Sequence, residues 1–395
     1  MKCRNCGGGL ETFLDLGRIP LANHLLSAPD ERYKRYPLGL AYCRSCFLVQ
    51  NIHVVPPKEL FSHYVYTTGS SKVHKKHFEE LADQVMEEYE FESHNPLVVD
   101  IGSNDGTLLT PFKQGDMRVL GIEPAANIAK IATEAGIPTL NAYFNKRTVL
   151  HVLENYGSAD IVTATNVVTH IDDLHAFLDA VQALLAPDGL FVVEVYDLVQ
   201  MLKDTLFDLV YHEHLTYFTV RTLDEMMRKH GLHIERVVRV PTQGGSLRAF
   251  IRLGKPEAHI LWAEPETIEL VQMFRQFALN VELARRAFRR FVRRMRRDGQ
   301  RIVGYSAPAK ATTLLNYCKL TVRDVAYVVD DNPLKQNRWV PGTKIPIYDP
   351  GVLDVDDADI AIIFAWNLVT EIAPKLIARG MKGFVPLPVL TEVTT

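Results

Sequence analysis

From residue 97 onward the chain alternates short apolar, β-branched runs with helical patterns, and this alternation constrains its fold more than any other feature. LVVDIG (97–102), RVLGIEP (118–124), ADIVTATNVV (159–168) and GLFVVEVY (189–196) are separated by helical patterns such as 125–135 and 173–186. Strands buried on both faces read as continuous apolar runs, and parallel strands need crossovers between them. The segment therefore predicts a doubly wound, Rossmann-like α/β sheet covered by helices on both sides. HIERVVRVP (233–241) and SLRAFIRL (246–253), close together around GG, predict an antiparallel edge. A long helical stretch over 264–299 follows, its last turns carrying eight arginines between Arg285 and Arg297. The alternation then resumes with RIVGYSA (301–307), VAYVVDD (325–331) and ADIAIIFAW (358–366), the start of a second α/β unit. The expected organisation is a cysteine module over 1–60, a helical connector over 61–95, the first α/β unit over 96–255, a linking helix over 256–300 and the second unit over 301–395. The 395 residues suffice for several cores of about 100–200 residues each.

At 47% hydrophobic and 23% charged residues the chain is an ordinary folding sequence, and a net charge of −3 gives no global field to hold a polyanion. No apolar run approaches the ~20 residues of a membrane span, and MKCRNCGGG lacks a signal-peptide core, so a cytoplasmic location is expected.

Four of the five cysteines form two C-x2-C pairs, Cys3/Cys6 and Cys43/Cys46. Two such pairs supply the four thiolates of a tetrahedral zinc site, and in a reducing compartment this use is favoured over a redox dithiol or separate buried cysteines. With every coordination position filled by protein, the metal would be structural. Gly7 to Gly9 let the backbone turn so that N–H groups face the sulfurs. The 36 residues between the pairs exceed the ~15–20 of the common four-cysteine pattern and must hold structure of their own. Cys318, alone in an apolar helix-like stretch, reads as a small buried hydrophobe.

The first α/β unit opens with VVDIGSNDGTLL (98–109): a strand delivers Asp100, Gly102 and Gly106 make a tight turn, and a helix begins near Thr107. Glu123, 17 residues beyond Gly106, ends the next strand, where a doubly wound fold places a carboxylate that grips a ribose diol. The loop lacks G-x-G-x-x-G, which counts against a dinucleotide, and resembles that of the S-adenosylmethionine-dependent methyltransferases. The resemblance implies cofactor binding by Asp100, Gly102, Asn104, Gly106 and Glu123, with Asn166 near the methionine part.

Two polar clusters fall beyond the carboxyl ends of the strands, where such a fold binds substrate. NVVTH (166–170) offers Asn166 and His170, and YHEHLTYF (211–218) offers Tyr211, His212, Glu213 and His214 in succession. Histidine titrates near neutrality and is the natural general base. A metal site is a poor alternative, because H-E-H lacks the i, i+4 spacing of a helical zinc pair. A surface loop with incidental histidines is the blander one, since the chain has 14 of them. Tyr66 is a further candidate from the connector.

Taken together, the four-cysteine module, D-x-G-S-N-D-G, YHEHLTYF, GYSAPAKATTLLNY and VVDDNPLKQNRWVPGTKIPI resemble the three-domain sugar C-methyltransferases, across essentially the whole chain. The resemblance implies C-methylation of a nucleotide-linked 4-keto-6-deoxy sugar in branched-chain deoxysugar biosynthesis, with S-adenosylmethionine as donor and a structural zinc. By the same resemblance, His214 is the base that takes the C-3 proton, with Tyr211, Glu213 and Tyr66 around the sugar and His212, Asn166 and His170 lining the pocket. In the second unit, Lys310 and the helix start at GYSAPAK are expected to meet a diphosphate, and Asp330, Asn332, Lys335 and Gln336 the phosphate, ribose or base; the alternative is a scaffold whose polar residues cap helices. C-5 methylation is the nearest variant, since both carbons flank the ketone. A nucleic-acid base methyltransferase using the arginine-rich helix, and a zinc-dependent interaction protein with a vestigial fold, are the rivals. No nucleic-acid or membrane partner is expected, and the nucleotide and the oligomeric state stay open.

Overall fold

The computed structural model describes residues 1–61, 66–255 and 262–393. The junction at residue 256 and part of the 61–95 connector lie outside them.

Three sheets share the chain. The first α/β unit is a seven-stranded sheet in the order Leu232–Val240, Ser246–Leu253, Leu185–Tyr196, Ala159–Thr165, Leu97–Ile101, Arg118–Ile122, Thr139–Leu140. Its last five strands are parallel and the first two form an antiparallel edge. Leu97–Ile101 is buried throughout, and its side chains alternate as the pleat requires. Leu97, Val99 and Ile101 enter one core with Ile122 and Val162, while Val98 enters the other with Phe112, Ile161 and Phe250. The helix after the glycine loop runs Leu109–Gln114, two residues later than the sequence suggests, a usual margin for a helix end. A second seven-stranded sheet, built from Ile302–Tyr305 to Thr391–Val393, repeats the design with antiparallel strands at both edges.

The cysteine module is a four-stranded antiparallel sheet of Leu10–Pro20, Arg35–Cys43, Val49–Asn51 and, from far along the chain, Thr216–Tyr217. The structure that the long cysteine gap must hold is the Leu10–Pro20/Arg35–Cys43 pair. Because Thr216–Tyr217 belongs to YHEHLTYF, the 211–214 segment is wedged between this sheet and the 168–170 turn. Asn51 N–H donates to Leu215 O, and Leu215 N–H to Thr169 O.

The helix Thr267–Arg297 is about 46 Å long at 1.5 Å per residue. Its buried stripe, Leu270, Phe274, Phe277, Val281, Phe288 and Val292, recurs at steps of three, four and seven residues, one face of the helix. The stripe enters one core with Leu14 and Tyr42 of the cysteine module, Phe207 of the first α/β unit and Ile302 and Leu314 of the second. Arg285 and Arg286 pair with Glu282, Arg296 with Asp324, and Arg297 with Asp298. Among the described residues no helix is long and apolar enough to cross a membrane.

The second α/β unit also caps the connector helix Lys72–Glu88. Glu371 Oε1 accepts from Ser71 Oγ and Val73 N, both at 2.8 Å. Carboxylates at a helix start satisfy orphan N–H groups and oppose the helix dipole. Glu371→Ala is expected to cost about 1 kcal/mol, read by thermal unfolding, and to speed amide exchange selectively in the first turn of this helix. Unchanged exchange there would show that the contact does not hold the turn.

Candidate active site

One cleft of about 1120 Å3 runs from the glycine loop of the first unit to the helix starts of the second. That exceeds the roughly 300–1,000 Å3 of a site for one drug-sized ligand.

At one end lies the loop after Leu97–Ile101. Gly102 has φ +67, and a Cβ there would stand 2.6 Å from Val167 Cγ2. Asn104 also adopts a left-handed conformation, φ +50. Its amide is spent on the connector: Nδ2 donates to Tyr66 O and Oδ1 accepts from Thr68 N. Glu123 accepts from Asn104 N and Ala125 N, which fixes the loop, while burial raises its pKa above the usual carboxylate value. Burial likewise lifts Asp100 to about 7, against the hydrogen bond from Thr163 Oγ1 at 2.6 Å. Asn166, at φ +59, aims a buried Oδ1 that finds no hydrogen-bond partner among the described residues. Two buried carboxyls, an orphan acceptor and a side-chain-free turn fit a ligand bearing hydroxyl and ammonium groups. Gly106 is not part of the wall: at φ +80, its Cβ would stand 2.8 Å from Ile137 Cγ1, so packing demands glycine there rather than ligand approach.

The 211–214 segment divides by side. His214 N–H donates to Tyr211 O, closing a turn whose two ends face the cleft while its middle residues face away. The expectations that Glu213 stands around the sugar and that His212 lines the pocket are therefore corrected. His212 packs on Tyr36 with Nε2 3.4 Å from Tyr36 O, and burial draws its pKa down to about 4. Glu213 lies behind Asn23, whose Nδ2 donates to it at 3.1 Å, and burial lifts it to about 7. Asn23 itself reaches the cleft.

His214 is 1% exposed. Its Nδ1 lies 2.6 Å from Leu209 O. A carbonyl only accepts, so Nδ1 carries the proton and Nε2 keeps its lone pair. Burial, with His170 and Lys310 nearby, pulls the His214 pKa well below 6.5. Its ring lies 3.7 Å from Tyr211, 4.7 Å from Tyr196 and 5.3 Å from His170, centroid to centroid. His170 stacks between His214 and Phe61, and burial lowers it to about 4. Tyr66 lines the same cleft, its pKa raised by burial to about 12.

In the second unit, Lys310, Asp330, Asn332 and Lys335 border the cleft, and Gln336 does not. The Gln336 amide instead holds Asp330 O and Asp349. Asp330 accepts from Ala307 N, Asn332 N and Lys335 Nζ, anchoring its loop as Glu123 anchors the first. Burial lowers Lys310 to about 8. No arginine of the 285–297 run reaches the cleft.

Away from the cleft, the sulfurs of Cys3, Cys6, Cys43 and Cys46 all lie within 4.8 Å of one another. A tetrahedron with zinc–sulfur bonds of about 2.3 Å has edges near 3.8 Å, so the four fit one ion. Asn5 N–H and Ser45 N–H point at Cys3 and Cys43, each at 3.4 Å. A Cβ on Gly8 would stand 3.1 Å from Cys43 Sγ.

Family models match three consecutive stretches: "Putative zinc binding domain" at 3–61, "Methyltransferase domain" at 73–237 and "C-methyltransferase C-terminal domain" at 241–388. The C-methyltransferase NovU of Streptomyces niveus is 34% identical over 98% of this chain and 95% of its own. The chain belongs to the C-methyltransferase family. A ubiquinone biosynthesis O-methyltransferase of Bradyrhizobium sp. (strain ORS 278) matches only 24% of the chain and 38% of its own length, at 34% identity. The solved magnesium protoporphyrin IX methyltransferase (ChlM) from Synechocystis PCC 6803 with bound SAM covers 46% of the chain and 80% of its own, at 14% identity and a TM-score of 0.35.

Several polar residues of this C-methyltransferase cleft carry no sequence signal. His77 Nε2 meets the Glu194 carboxylate at 2.8 Å, and Arg248 Nε reaches it at 2.6 Å. Burial of Glu194 pushes its pKa up, but His77 and Arg248 outweigh that and hold it below the usual value. His74, Gln243 and Asn367 also face the cleft, as do Tyr143 and Phe144 at the glycine-loop end. They come from separate stretches of the chain with no motif that links those stretches, and tertiary folding assembles them.

Proposed function

We propose that this C-methyltransferase transfers the methyl group of S-adenosylmethionine to C-3 of a nucleotide-linked 4-keto-6-deoxy sugar, and that zinc at Cys3, Cys6, Cys43 and Cys46 holds the module against which the base is packed. The observation that carries the reading is His214: a buried, neutral imidazole whose Nδ1–H is committed to Leu209 O, leaving Nε2 as acceptor beside Tyr211 and His170. Asp100, Glu123 and Asn166 would hold the donor at the glycine loop, where it supplies an electrophilic methyl group. His214 Nε2 takes the C-3 proton, which the adjacent ketone acidifies, and the electron pair passes into the C-3–C-4–O system. Tyr66 and Tyr211 stand near as neutral hydrogen-bonding groups for the oxygen on which charge gathers, which would be costly to bury without donors. The carbon then bonds to the methyl group as the carbon–sulfur bond breaks, and the ketone re-forms. Lys310, Asn332 and Lys335 would meet the nucleotide end.

The size of the cleft supports two ligands at once. A mass-spectrometric assay with dTDP-, GDP- and CDP-linked 4-keto-6-deoxyhexoses tests the assignment: one of them should gain a single methyl group. A protein that binds the cofactor yet methylates none of the three would not be a keto-sugar enzyme.

The His214 environment also fixes a pH dependence. An imidazole held well below 6.5 stays deprotonated through neutrality, so protonation removes the base only in more acidic solution. With cofactor and sugar saturating, the single-turnover rate is expected to show no acid limb at pH 6.5, the ordinary histidine value. An acid limb centred at 6.5 would contradict the assignment.

A further inference from the structure

Four cleft residues form a hydrogen-bonded row whose direction is set by one of them. Lys310 is 6% exposed, and its ammonium group only donates. Nζ lies 2.5 Å from Asn367 Oδ1 and 3.4 Å from Gln243 Oε1, and Asn367 Nδ2 also points at Gln243 Oε1, at 3.4 Å. Two donors converging on Oε1 fix the orientation of the Gln243 amide, so its NH2 group faces His74 Nε2, 3.3 Å away. An amide nitrogen cannot accept, so His74 Nε2 accepts and its proton sits on Nδ1. Nδ1 is 3.3 Å from the Tyr66 oxygen, which must therefore accept.

The row is held rigidly. Gln243 adopts φ +55, a left-handed conformation that persists only where the surroundings impose it. Next to it, a Cβ on Gly244 would stand 2.4 Å from Trp366 Cη2, and the Trp366 ring also carries the Lys310 ammonium at 4.4 Å. Burial, with Lys310 and His77 adding to it, lowers His74 to about 4, consistent with a neutral ring.

We infer that Lys310, Asn367 and Gln243 act through His74 as positioning residues that hold the Tyr66 oxygen as acceptor toward His74, so that the Tyr66 proton is directed elsewhere, toward the acceptor substrate. The functional part rests on the reading of Tyr66 as a group beside the reacting ketone. Whatever else the Tyr66 oxygen meets, its proton is not spent on His74. A donated hydrogen bond stabilises a developing oxyanion, whereas a hydroxyl turned the other way opposes it. Because Lys310 and Asn367 belong to the second α/β unit and His74 and Gln243 to the first and its connector, docking of the two units sets this polarity.

Gln243→Glu tests it with almost no change of shape. A carboxylate accepts from Lys310 and from His74 alike, so His74 should switch to the Nε2–H tautomer and turn the Tyr66 proton toward itself. Long-range 1H–15N correlation of the folded protein should show Nδ1–H at His74 in the parent and Nε2–H in the variant. An Nε2–H tautomer in the parent would overturn the inference whatever the substrate is. With the methylated sugar as readout, Q243E should lower kcat roughly 10–100-fold with little change in KM. In a Tyr66→Phe background it should cost less than about twofold, since the two act as a unit. A full additive loss there would also overturn it. Unchanged turnover in Tyr66→Phe alone, with the tautomers as stated, would remove instead the reading of Tyr66 as a substrate group.

Discussion

His214→Asn is expected to lower turnover by about 10²–10⁴-fold while leaving S-adenosylmethionine affinity within about twofold of the parent, since distant, independent sites behave additively. The asparagine amide nitrogen can occupy the place of Nδ1 and still donate to Leu209 O, so the turn that positions Tyr211 should survive. What it lacks is the lone pair at the Nε2 position, which neither His170 nor Glu194 is placed to replace. His170 is stacked behind His214, and the Glu194 carboxylate is committed to His77 and Arg248. Calorimetric titration with the cofactor and single-turnover assays separate binding from chemistry. Retention of more than about a tenth of the parent rate would exclude His214 as the base.

Cys43→Ser should act on stability rather than selectively on chemistry. Cys43 is fully buried among the other three sulfurs, and its strand, Arg35–Cys43, pairs with both neighbours in the four-stranded sheet. Metal affinity at such a site is folding free energy, so losing one ligand should release the zinc and lower the melting temperature by roughly 5 °C, or about 3–5 kcal/mol. The neighbouring strand Val49–Asn51 pairs with Thr216–Tyr217, two residues past His214, so activity should fall in step with the folded fraction. Elemental analysis checks the metal. Unchanged zinc content in the folded variant would show that Cys43 is not a ligand, and absence of zinc from the parent would dispose of the site altogether.

The glycine loop, the strand alternation and the cysteine pairs were legible because each is local: a run of residues carries its own periodicity or spacing. The division of YHEH was not, because it depends on the turn from Tyr211 O to His214 N, which puts Tyr211 and His214 on one side and His212 and Glu213 on the other. Gly106 reads in the sequence as a cofactor-loop glycine, but its partner Ile137 is 31 positions away, and only packing reveals it. His74 and Gln243 come from distant segments and no motif marks either, while Lys310 is marked by GYSAPAK but its contacts with Gln243 and Asn367 appear only in the fold. Gln336 follows Asp330 closely enough to suggest a shared ligand, yet the backbone of Asp330 uses its amide.

The most direct measurement follows the proton. In heavy water, with S-adenosylhomocysteine filling the cofactor site so that methylation cannot occur, the parent protein should exchange the C-3 hydrogen of the keto-sugar for deuterium, and His214→Asn should not. Exchange that persists in His214→Asn, or that occurs at C-5 and not at C-3, would contradict the account.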